Sequence, residues 1–243
     1  MTIELFREDG YLKSCEARVT RIFENGFSTD QTVFYPVGGG QPGDTGTFRK
    51  QSQLPIVGTA IIDCRKDRES GDIVHVLSEE SQIPTVDDIV TLQIDWDRRY
   101  RLMRMHSCLH MLCVAVPAPV TGGAIRDGSA RLDFDLPEPP TREDLESRLN
   151  EIILGDHPMT LSWISEQQMS SNPDLVRTMS VAPPTGAGDV RLVKFGTADL
   201  QACGGTHVSN SSEIGPIVVE SIKNKGKQNR RITVVFAHEE GQR

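Results

Sequence analysis

Hydrophobic and polar residues alternate with a period of two through the N-terminal part of the chain. In "CEARVTRIF", Cys15, Ala17 and Val19 alternate with polar neighbours, which is typical of a half-buried strand. The Asn25-Gly26 pair that follows predicts a hairpin, with "FSTDQTVFY" as the returning strand. Further strands are predicted at "VGTAIID", "DIVHVLS" and "DIVTLQIDW", and no helical pattern of useful length occurs before residue 97. This spacing favours a small β-barrel or sandwich.

A helical period replaces this alternation after residue 97. In "RRYRLMRMHSCLHMLCVAV" the hydrophobic residues recur three or four positions apart, which predicts an amphipathic helix. A second helix is predicted in "PTREDLESRLNEIILGD", where Thr141 and Asp144 are placed like a capping box. Strands are predicted at "ARLDFDL", "MTLSWIS", "VRLVKFG", "GPIVVESIKN" and "RRITVVFAH". We therefore expect an α+β protein, with a small β-barrel in residues 1–92 and an α+β domain of antiparallel sheet and helices in residues 93–243.

Composition restricts the class of protein. Hydrophobic residues make up 37% of the 243 residues, and no segment approaches the roughly 20 apolar residues of a membrane helix. The first ten residues carry four charges and do not resemble a signal peptide, so a cytoplasmic protein is expected. The five cysteines are widely spaced and odd in number, which favours reduced thiols or a metal ligand over a disulfide framework. The sequence indicates no obligate protein partner.

The net charge of −8 argues against a broad nucleic-acid-binding surface, but two basic segments interrupt the acidic chain. One such segment alone is typical of a solvated face, whereas two favour an anionic partner at a confined site. The first segment, "WDRRYRLMR", contains Arg98, Arg99, Arg101 and Arg104. The second, "KNKGKQNRR", supplies the candidate phosphate-binding residues, which are Lys223, Lys225, Lys227, Arg230 and Arg231.

The segment "FYPVGGGQPGDTG" contains five of the 21 glycines. A phosphate-binding Walker loop requires the pattern GxxxxGK[ST], and no lysine follows here. Gly38, Gly39 and Gly40 instead suit the close approach of the backbone to a small substrate. A tight turn of the barrel remains the alternative for Gly43 and Gly46.

Two pairs of potential metal ligands occur further along the chain. His106 and His110 lie four positions apart on the predicted helix, which places both imidazoles on one face. Cys203 and His207 belong to "CGGTH", whose glycines permit a sharp turn. Thiolate and imidazole are ligands that zinc prefers, so the pairs predict one shared zinc ion, with two unrelated pairs as the alternative. Cys113 could compete as a ligand, although its apolar neighbours favour a buried structural thiol.

The ligand pairs do not by themselves define a reaction. Four protein ligands are typical of a structural zinc site, whereas three ligands and a water are typical of a catalytic one. "HSCLH" lacks the glutamate of the "HExxH" metalloprotease motif. A zinc hydrolase and a zinc-stabilised domain therefore both remain open. His75, His157 and His238 have no partners at ligand spacing and are expected at the surface.

Three segments in order, "TVFYPVGGGQPGDTG", "HSCLHML" and "DLQACGGTHV", resemble the AlaX proteins, which are free-standing relatives of the editing domain of alanyl-tRNA synthetase. The resemblance covers nearly the whole chain and looks like the mid-sized type, which has an N-terminal β-barrel. It implies a trans-editing hydrolase that deacylates tRNA(Ala) mischarged with serine, and in some cases glycine. It also implies one zinc ion per chain, bound by His106, His110, Cys203 and His207.

The same resemblance implies roles for the glycine-rich motif. Thr32 and Gln41 match polar positions of the motif and are the candidate catalytic residues, with a role in reading the hydroxyl of serine. Gly38, Gly39 and Gly40 correspond to a wall of the editing pocket. Editing of serine from tRNA(Thr) is one alternative, because the editing domain of threonyl-tRNA synthetase carries similar paired motifs. A non-catalytic, zinc-stabilised RNA-binding module is the other.

Overall fold

The computed structural model describes residues 2–51, 58–172, 189–226 and 228–237. Contacts between Cα atoms divide the chain into two compact units, Met1–Tyr100 and Arg101–Arg243. The expected α+β class is confirmed, with a closed barrel in the first unit and antiparallel sheets with helices in the second. The unit boundary falls inside the first long helix, and the division between residues 92 and 93 stays a prediction. Among the described residues, no helix is long and apolar enough to span a membrane.

The described residues of the first unit form eight strands and one 3-10 turn, Leu5–Arg7. The strands are β1 (Ile3–Glu4), β2 (Ser14–Phe23), β3 (Gly26–Thr29), β4 (Gln31–Thr32), β5 (Gly46–Lys50), β6 (Thr59–Lys66), β7 (Ile73–Leu77) and β8 (Ile89–Ile94). Six of them form a closed barrel in the order β2-β3-β7-β6-β5-β8, with β8 pairing back onto β2. Every pair in the barrel is antiparallel, while β1 and β4 form a separate parallel pair.

The interior of the barrel is filled by alternate residues of its strands. Ala17 and Val19 of β2 point inward, as their alternation predicts. Phe27 and Phe48 meet edge to face with ring centroids 4.8 Å apart. His75 is fully buried in the same unit, so the expectation of a surface histidine is wrong. All five residues of β7 are buried. The strand therefore has no alternation of polar and hydrophobic residues that would show which positions are exposed.

The described residues of the second unit form two antiparallel sheets, three α-helices and one 3-10 turn, Ser211–Ile214, and the first α-helix begins in the first unit. The helices are α1 (Trp96–Ala115), α2 (Arg142–Leu154) and α3 (Glu166–Ser170). The strands are β9 (Val120–Arg126), β10 (Ser129–Asp135), β11 (Met159–Ile164), β12 (Val190–Phe195), β13 (Asp199–Ala202), β14 (Ile217–Asn224) and β15 (Asn229–Phe236). The larger sheet has the order β14-β15-β10-β9 and the smaller one β11-β12-β13.

Helix α2 begins where the sequence predicts. The Thr141 hydroxyl accepts a hydrogen bond from the Asp144 amide at 3.1 Å, which satisfies one of the free N–H groups of the first turn. Further along α2, the Asn150 amide donates to the Ile217 carbonyl at 2.8 Å and accepts from its N–H at 2.9 Å. These two bonds attach α2 to the edge strand β14.

Candidate metal centre

Four side chains of the second unit converge on one point. Their ligand atoms all lie within 4.8 Å of one another. The Sγ atom of Cys203 lies 3.4 Å from Nε2 of His106 and 3.6 Å from Nε2 of His207. The Nε2 atoms of His207 and His110 are 3.1 Å apart. The two ligand pairs recognised in the sequence therefore meet as one cluster, which could hold one metal ion.

Local structure explains why the pairs meet. His106 and His110 are separated by one turn of α1, so their rings project from the same side of the helix. Cys203 directly follows β13 and continues its pairing, because its N–H donates to the Arg191 carbonyl at 3.1 Å. The N–H of Val208, next to His207, donates to the Ser107 hydroxyl at 3.1 Å. This bond holds the "CGGTH" loop beside the two candidate ligands of the helix.

The electrostatics of Cys203 and His207 favour the protonation states that bind metals, whereas His110 holds a proton more strongly. Burial raises the pKa of the Cys203 thiol, but the neighbouring His106 and His207 lower it more, to well below its ordinary value of 9.0. Burial lowers the pKa of His207 well below 6.5, which leaves a neutral imidazole. Burial also lowers the pKa of His110, yet hydrogen bonds with Asp199 and Cys203 raise it to about 9. A bound cation would displace the proton from such a ring.

The donor set tests which ions the cluster fits. One thiolate and three imidazole nitrogens suit a borderline-soft divalent cation better than calcium or magnesium, which prefer oxygen ligands. Cys113 is buried, 5% exposed, and is not among the four converging residues. The interpretation of Cys113 as a structural thiol is therefore favoured over its role as a ligand.

Two residues beside the cluster were not recognised in the sequence. Asp199 Oδ2 lies 2.8 Å from Nδ1 of His110, and the Gln201 amide donates to both oxygens of Asp199 at 2.9 and 3.0 Å. The available signal was the spacing of Asp199, Gln201 and Cys203 at alternate positions, which places side chains on one face of a strand.

Thr32 lies inside the barrel unit and is fully buried. Its hydroxyl oxygen is 2.8 Å from Nε2 of His75 and accepts a hydrogen bond from the Phe34 amide at 3.0 Å. The hydroxyl of this candidate catalytic residue thus already has two partners within its own unit.

The rest of the glycine-rich motif forms a tight loop. The amides of Gly38 and Gln41 each donate to the other residue's carbonyl, at 3.1 and 2.9 Å. Gly39 and Gly40 lie between them with φ of 55° and 83°, a conformation that favours glycine. Both are exposed, whereas the Gln41 side chain is buried. The loop therefore presents backbone at the surface of the first unit.

The motif continues into a buried ion pair. A Cβ atom at Gly43 would overlap the Cys64 carbonyl, so only glycine fits against β6 there. The next residue, Asp44, accepts from the Tyr35 amide at 2.6 Å. Its carboxylate also pairs with Arg99, whose Nε lies 3.0 Å from both oxygens. Both side chains of this pair are buried.

The first basic segment consequently does not form a free cationic patch. Arg99 is fully buried in its ion pair, and Arg98 donates to the Gly43 carbonyl at 2.8 Å. Arg101 pairs with Asp127, and Arg104 donates to the Ile214 carbonyl at 2.9 Å. The interpretation of this segment as part of an anion-binding surface does not hold for Arg99.

The second basic segment contains exposed lysines and arginines that are hydrogen-bonded within the second unit. Lys223 and Lys225 are exposed. Arg231 makes two hydrogen bonds of 2.7 Å to the Asp133 carboxylate across β15 and β10. Arg230 donates to the Pro137 carbonyl at 2.8 Å. Lys227 lies outside the described residues.

Two family profiles match separate parts of the chain. Residues 190–233, which include both candidate ligands of "CGGTH", match the family profile described as "Threonyl and Alanyl tRNA synthetase second additional domain". Residues 6–98, which span the barrel, match the profile "tRNA synthetases class II (A)". The two profile matches therefore indicate a relative of the aminoacyl-tRNA synthetases.

Full-length relatives narrow this class. The alanyl-tRNA editing protein AlaX-M of Saccharolobus solfataricus is 36% identical over 236 residues, covering 96% of this chain and 98% of the relative. AlaX-M of Methanosarcina mazei is 35% identical, with 96% and 95% covered. The alanine–tRNA ligase of Sulfurisphaera tokodaii is 32% identical over 91% of this chain, which corresponds to 25% of the ligase. The chain belongs to the AlaX-M family of alanyl-tRNA editing proteins, and the resemblance seen in the sequence is confirmed.

Proposed function

We propose that this protein is a trans-editing deacylase that hydrolyses the ester of tRNA(Ala) mischarged with serine or glycine, in the cytoplasm. The observation that carries the proposal is the cluster of one half-buried cysteine and three buried histidines in a chain of an alanyl-tRNA editing family. Such an ester is already activated, so the site needs a positioned water and stabilisation of the negative charge that develops on the carbonyl oxygen.

The ion that the cluster is proposed to bind is zinc, one per chain, held by His106, His110, Cys203 and His207. The donor set supports this choice, because thiolate and imidazole are the usual ligands of Zn²⁺. When bound, the ion would supply Lewis-acid chemistry, either toward a water or toward the amine of the substrate. The low pKa of Cys203 supports a thiolate that is ready to bind the cation without losing a further proton.

Selection of serine against alanine is the harder part of the reaction. A synthetase pocket discriminates poorly between small side chains, which is why a second hydrolytic site is useful. A pocket that hydrogen-bonds the serine hydroxyl would leave buried polar groups unpaired with alanine, at about 1–3 kcal/mol per group. Thr32 and Gln41 remain the proposed residues for this contact. The exposed backbone of Gly39 and Gly40 supports the proposed role of Gly38–Gly40 as a pocket wall.

Binding of the tRNA is proposed to use the second basic segment. Lys223 and Lys225 support this role because they are exposed. Arg230 and Arg231 are held by contacts within the second unit, so their role is proposed to be the shaping of this hairpin as well as phosphate binding.

A deacylation assay tests the proposal directly. Purified protein is mixed with Ser-tRNA(Ala), Gly-tRNA(Ala), Ala-tRNA(Ala) and Ser-tRNA(Thr), before and after removal of metal by a chelator and after readdition of Zn²⁺. We expect rapid loss of serine from tRNA(Ala), slow loss of alanine, and restoration of activity by Zn²⁺. Preferential hydrolysis of Ser-tRNA(Thr) would assign the protein to threonine editing. Tight tRNA binding without hydrolysis of any substrate would favour the non-catalytic RNA-binding module.

A further inference from the structure

Asp199 contacts His110, one of the proposed metal ligands, and accepts several hydrogen bonds. Nδ1 of His110 donates to Oδ2 of Asp199 at 2.8 Å, and the side chains of both residues are buried. Gln201 donates to both oxygens of the same carboxylate at 2.9 and 3.0 Å. The three side chains form a chain of hydrogen bonds, from Gln201 to Asp199 and from His110 to Asp199, and that chain ends at Nδ1 of His110, the ring nitrogen that does not face the cluster.

The strand β13 creates this arrangement. Asp199 and Gln201 are two positions apart and therefore share a face of the strand. Asp199 pairs in register with Phe195 of β12, and the Phe195 ring lies 5.9 Å from the His110 ring and 6.2 Å from the His207 ring. One face of the smaller sheet thus supports two of the histidine ligands, one by a carboxylate and both by an aromatic ring.

The carboxylate determines which nitrogen of His110 faces the cluster. An ionised carboxylate only accepts hydrogen bonds, so Nδ1 must carry the proton and Nε2 must be available for a cation. His207 differs, because its buried Nδ1 has no hydrogen-bond partner among the described residues. The orientation of His110 is therefore fixed by a charged neighbour, whereas no such contact is described for His207.

The carboxylate also determines the charge of the site. Zn²⁺ with one thiolate and three neutral imidazoles carries one net positive charge, and burying such a charge is costly. Asp199 is buried beside His110, so its negative charge balances this excess. Asp199 therefore both orients a ligand and neutralises the charge of the buried ion.

We infer that Asp199, held by Gln201, is a positioning residue that sets the affinity of this protein for zinc. The inference rests on the proposed zinc site and goes beyond its four ligands. Carboxylates that hydrogen-bond ligand histidines typically account for 10- to 100-fold in metal affinity. Asp199→Ala loses orientation and charge, whereas Asp199→Asn loses the charge and one of the two acceptor oxygens but keeps the other. Gln201→Leu keeps the Asp199 carboxylate but removes the two hydrogen bonds that hold it in place.

The test is the affinity of the full-length protein for Zn²⁺, measured by competition with a chromophoric chelator. We expect about 10- to 100-fold weaker binding in Asp199→Ala, with smaller losses in Asp199→Asn and Gln201→Leu. Asp133→Asn is the matched control, because Asp133 is also hydrogen-bonded and partly buried but pairs with Arg231 instead of a ligand. It should bind Zn²⁺ as the wild type does.

A second measurement separates positioning from folding. In zinc-loaded protein with ¹⁵N-labelled histidine, the His110 Nδ1–H signal should exchange slowly with solvent and should move or disappear in Asp199→Asn. The thermal unfolding of the metal-free forms shows how much of any effect is stability alone. Wild-type zinc affinity in all three variants, or an equal loss in Asp133→Asn, would overturn the inference. Wild-type protein that binds Zn²⁺ but deacylates no tRNA would instead contradict the proposed function and leave the inference standing.

Discussion

The hydroxyl of Thr32 donates to Nε2 of His75 across 2.8 Å inside the barrel unit. The direction of this bond follows from the other side of the ring. Nδ1 of His75 lies 3.1 Å from the Phe27 carbonyl, which only accepts, so Nδ1 carries the proton and Nε2 accepts. The Thr32 oxygen in turn accepts from the Phe34 amide. The start of the glycine-rich motif is thereby tied to the barrel interior.

Thr32→Val tests whether this residue reads the substrate, holds the barrel together, or does both. The change leaves Nε2 of His75 and the Phe34 amide unpaired, so we expect the free energy of unfolding to fall by about 2–6 kcal/mol, at about 1–3 kcal/mol per group. Urea denaturation measures this loss. If Thr32 also contacts the serine hydroxyl, the ratio of serine to alanine deacylation rates should fall about threefold to tenfold, which corresponds to about 0.5–1.5 kcal/mol. If stability falls but the ratio of serine to alanine deacylation rates is unchanged, at equal zinc content, Thr32 stabilises the barrel and does not contact the substrate.

The buried His75 predicts a pH dependence of stability. Burial lowers the pKa of His75 from 6.5 to about 4, so the folded protein keeps this ring neutral where the unfolded chain already binds a proton. Its contribution to stability is complete above pH 6.5 and is lost as the pH falls from 6.5 to about 4. That interval corresponds to roughly 3 kcal/mol, at about 1.4 kcal/mol per pH unit.

The measurement is urea denaturation between pH 7 and pH 4.5 for the wild type and for His75→Gln, which cannot titrate in this range. All other groups are common to the two proteins, so the difference between their slopes isolates His75. We expect the stability of the wild type to fall more steeply than that of the variant as the pH decreases. Parallel curves would show that protonation of His75 does not oppose folding.

The ion pair between Arg99 and Asp44 predicts a large and specific loss of stability. Removing one partner of a buried pair leaves the other charge uncompensated, and Arg99→Met is therefore expected to cost about 3–5 kcal/mol. Arg21→Met is the matched control, because Arg21 forms a more exposed pair with Asp72 at 3.3 Å. That control should lose less than about 1 kcal/mol. Similar losses in the two variants, measured by chemical denaturation, would contradict the buried role of Arg99.

The sequence predicted those parts of the molecule whose period or spacing is regular. The alternation in β2 and the capping residue Thr141 correctly indicated a barrel strand and the start of α2. Strands β5, β9 and β13 were not predicted, because they are short or rich in glycine and threonine. The metal cluster could be anticipated from two short motifs whose residues are local in sequence. Asp199 could not, because its role depends on a contact with His110, 89 residues away.

The buried partnerships of His75 and Arg99 escaped prediction for a similar physical reason. An arginine is usually exposed and a histidine is only sometimes buried. The tertiary structure alone shows that Asp44 compensates the burial of Arg99 and that Thr32 compensates the burial of His75. Arg99 in particular belongs to a run of arginines that is typical of a basic surface. One-dimensional patterns record the charge of such a residue but not its partner.

The metal cluster predicts different outcomes for two cysteines of the same unit. Cys203→Ala removes the thiolate from the four-ligand set, so we expect most of the zinc to be lost, with reduced thermal stability. Cys113→Ala is the control, since Cys113 is buried on α1 but lies outside the set. It should keep one zinc per chain. Elemental analysis of both purified proteins checks the expectation, and a metal-free Cys113→Ala with full zinc in Cys203→Ala would require the ligand set to be redrawn.

The last prediction concerns how the tRNA is held. Lys223 and Lys225 are exposed near the turn between β14 and β15, whereas Arg231 is hydrogen-bonded to the Asp133 carboxylate. Changing both lysines to glutamine should weaken tRNA binding and reduce the slope of log K against log salt by about 1.4–1.8, because each phosphate contact contributes about 0.7–0.9. Hydrolysis at saturating tRNA should change little.

Arg231→Gln should instead lower the stability of the larger sheet by breaking the bonds to Asp133, with a smaller effect on the salt slope. Filter binding across a salt series, combined with thermal unfolding, distinguishes the two variants. An unchanged affinity and slope in the double lysine variant would reduce these residues to a solvated surface.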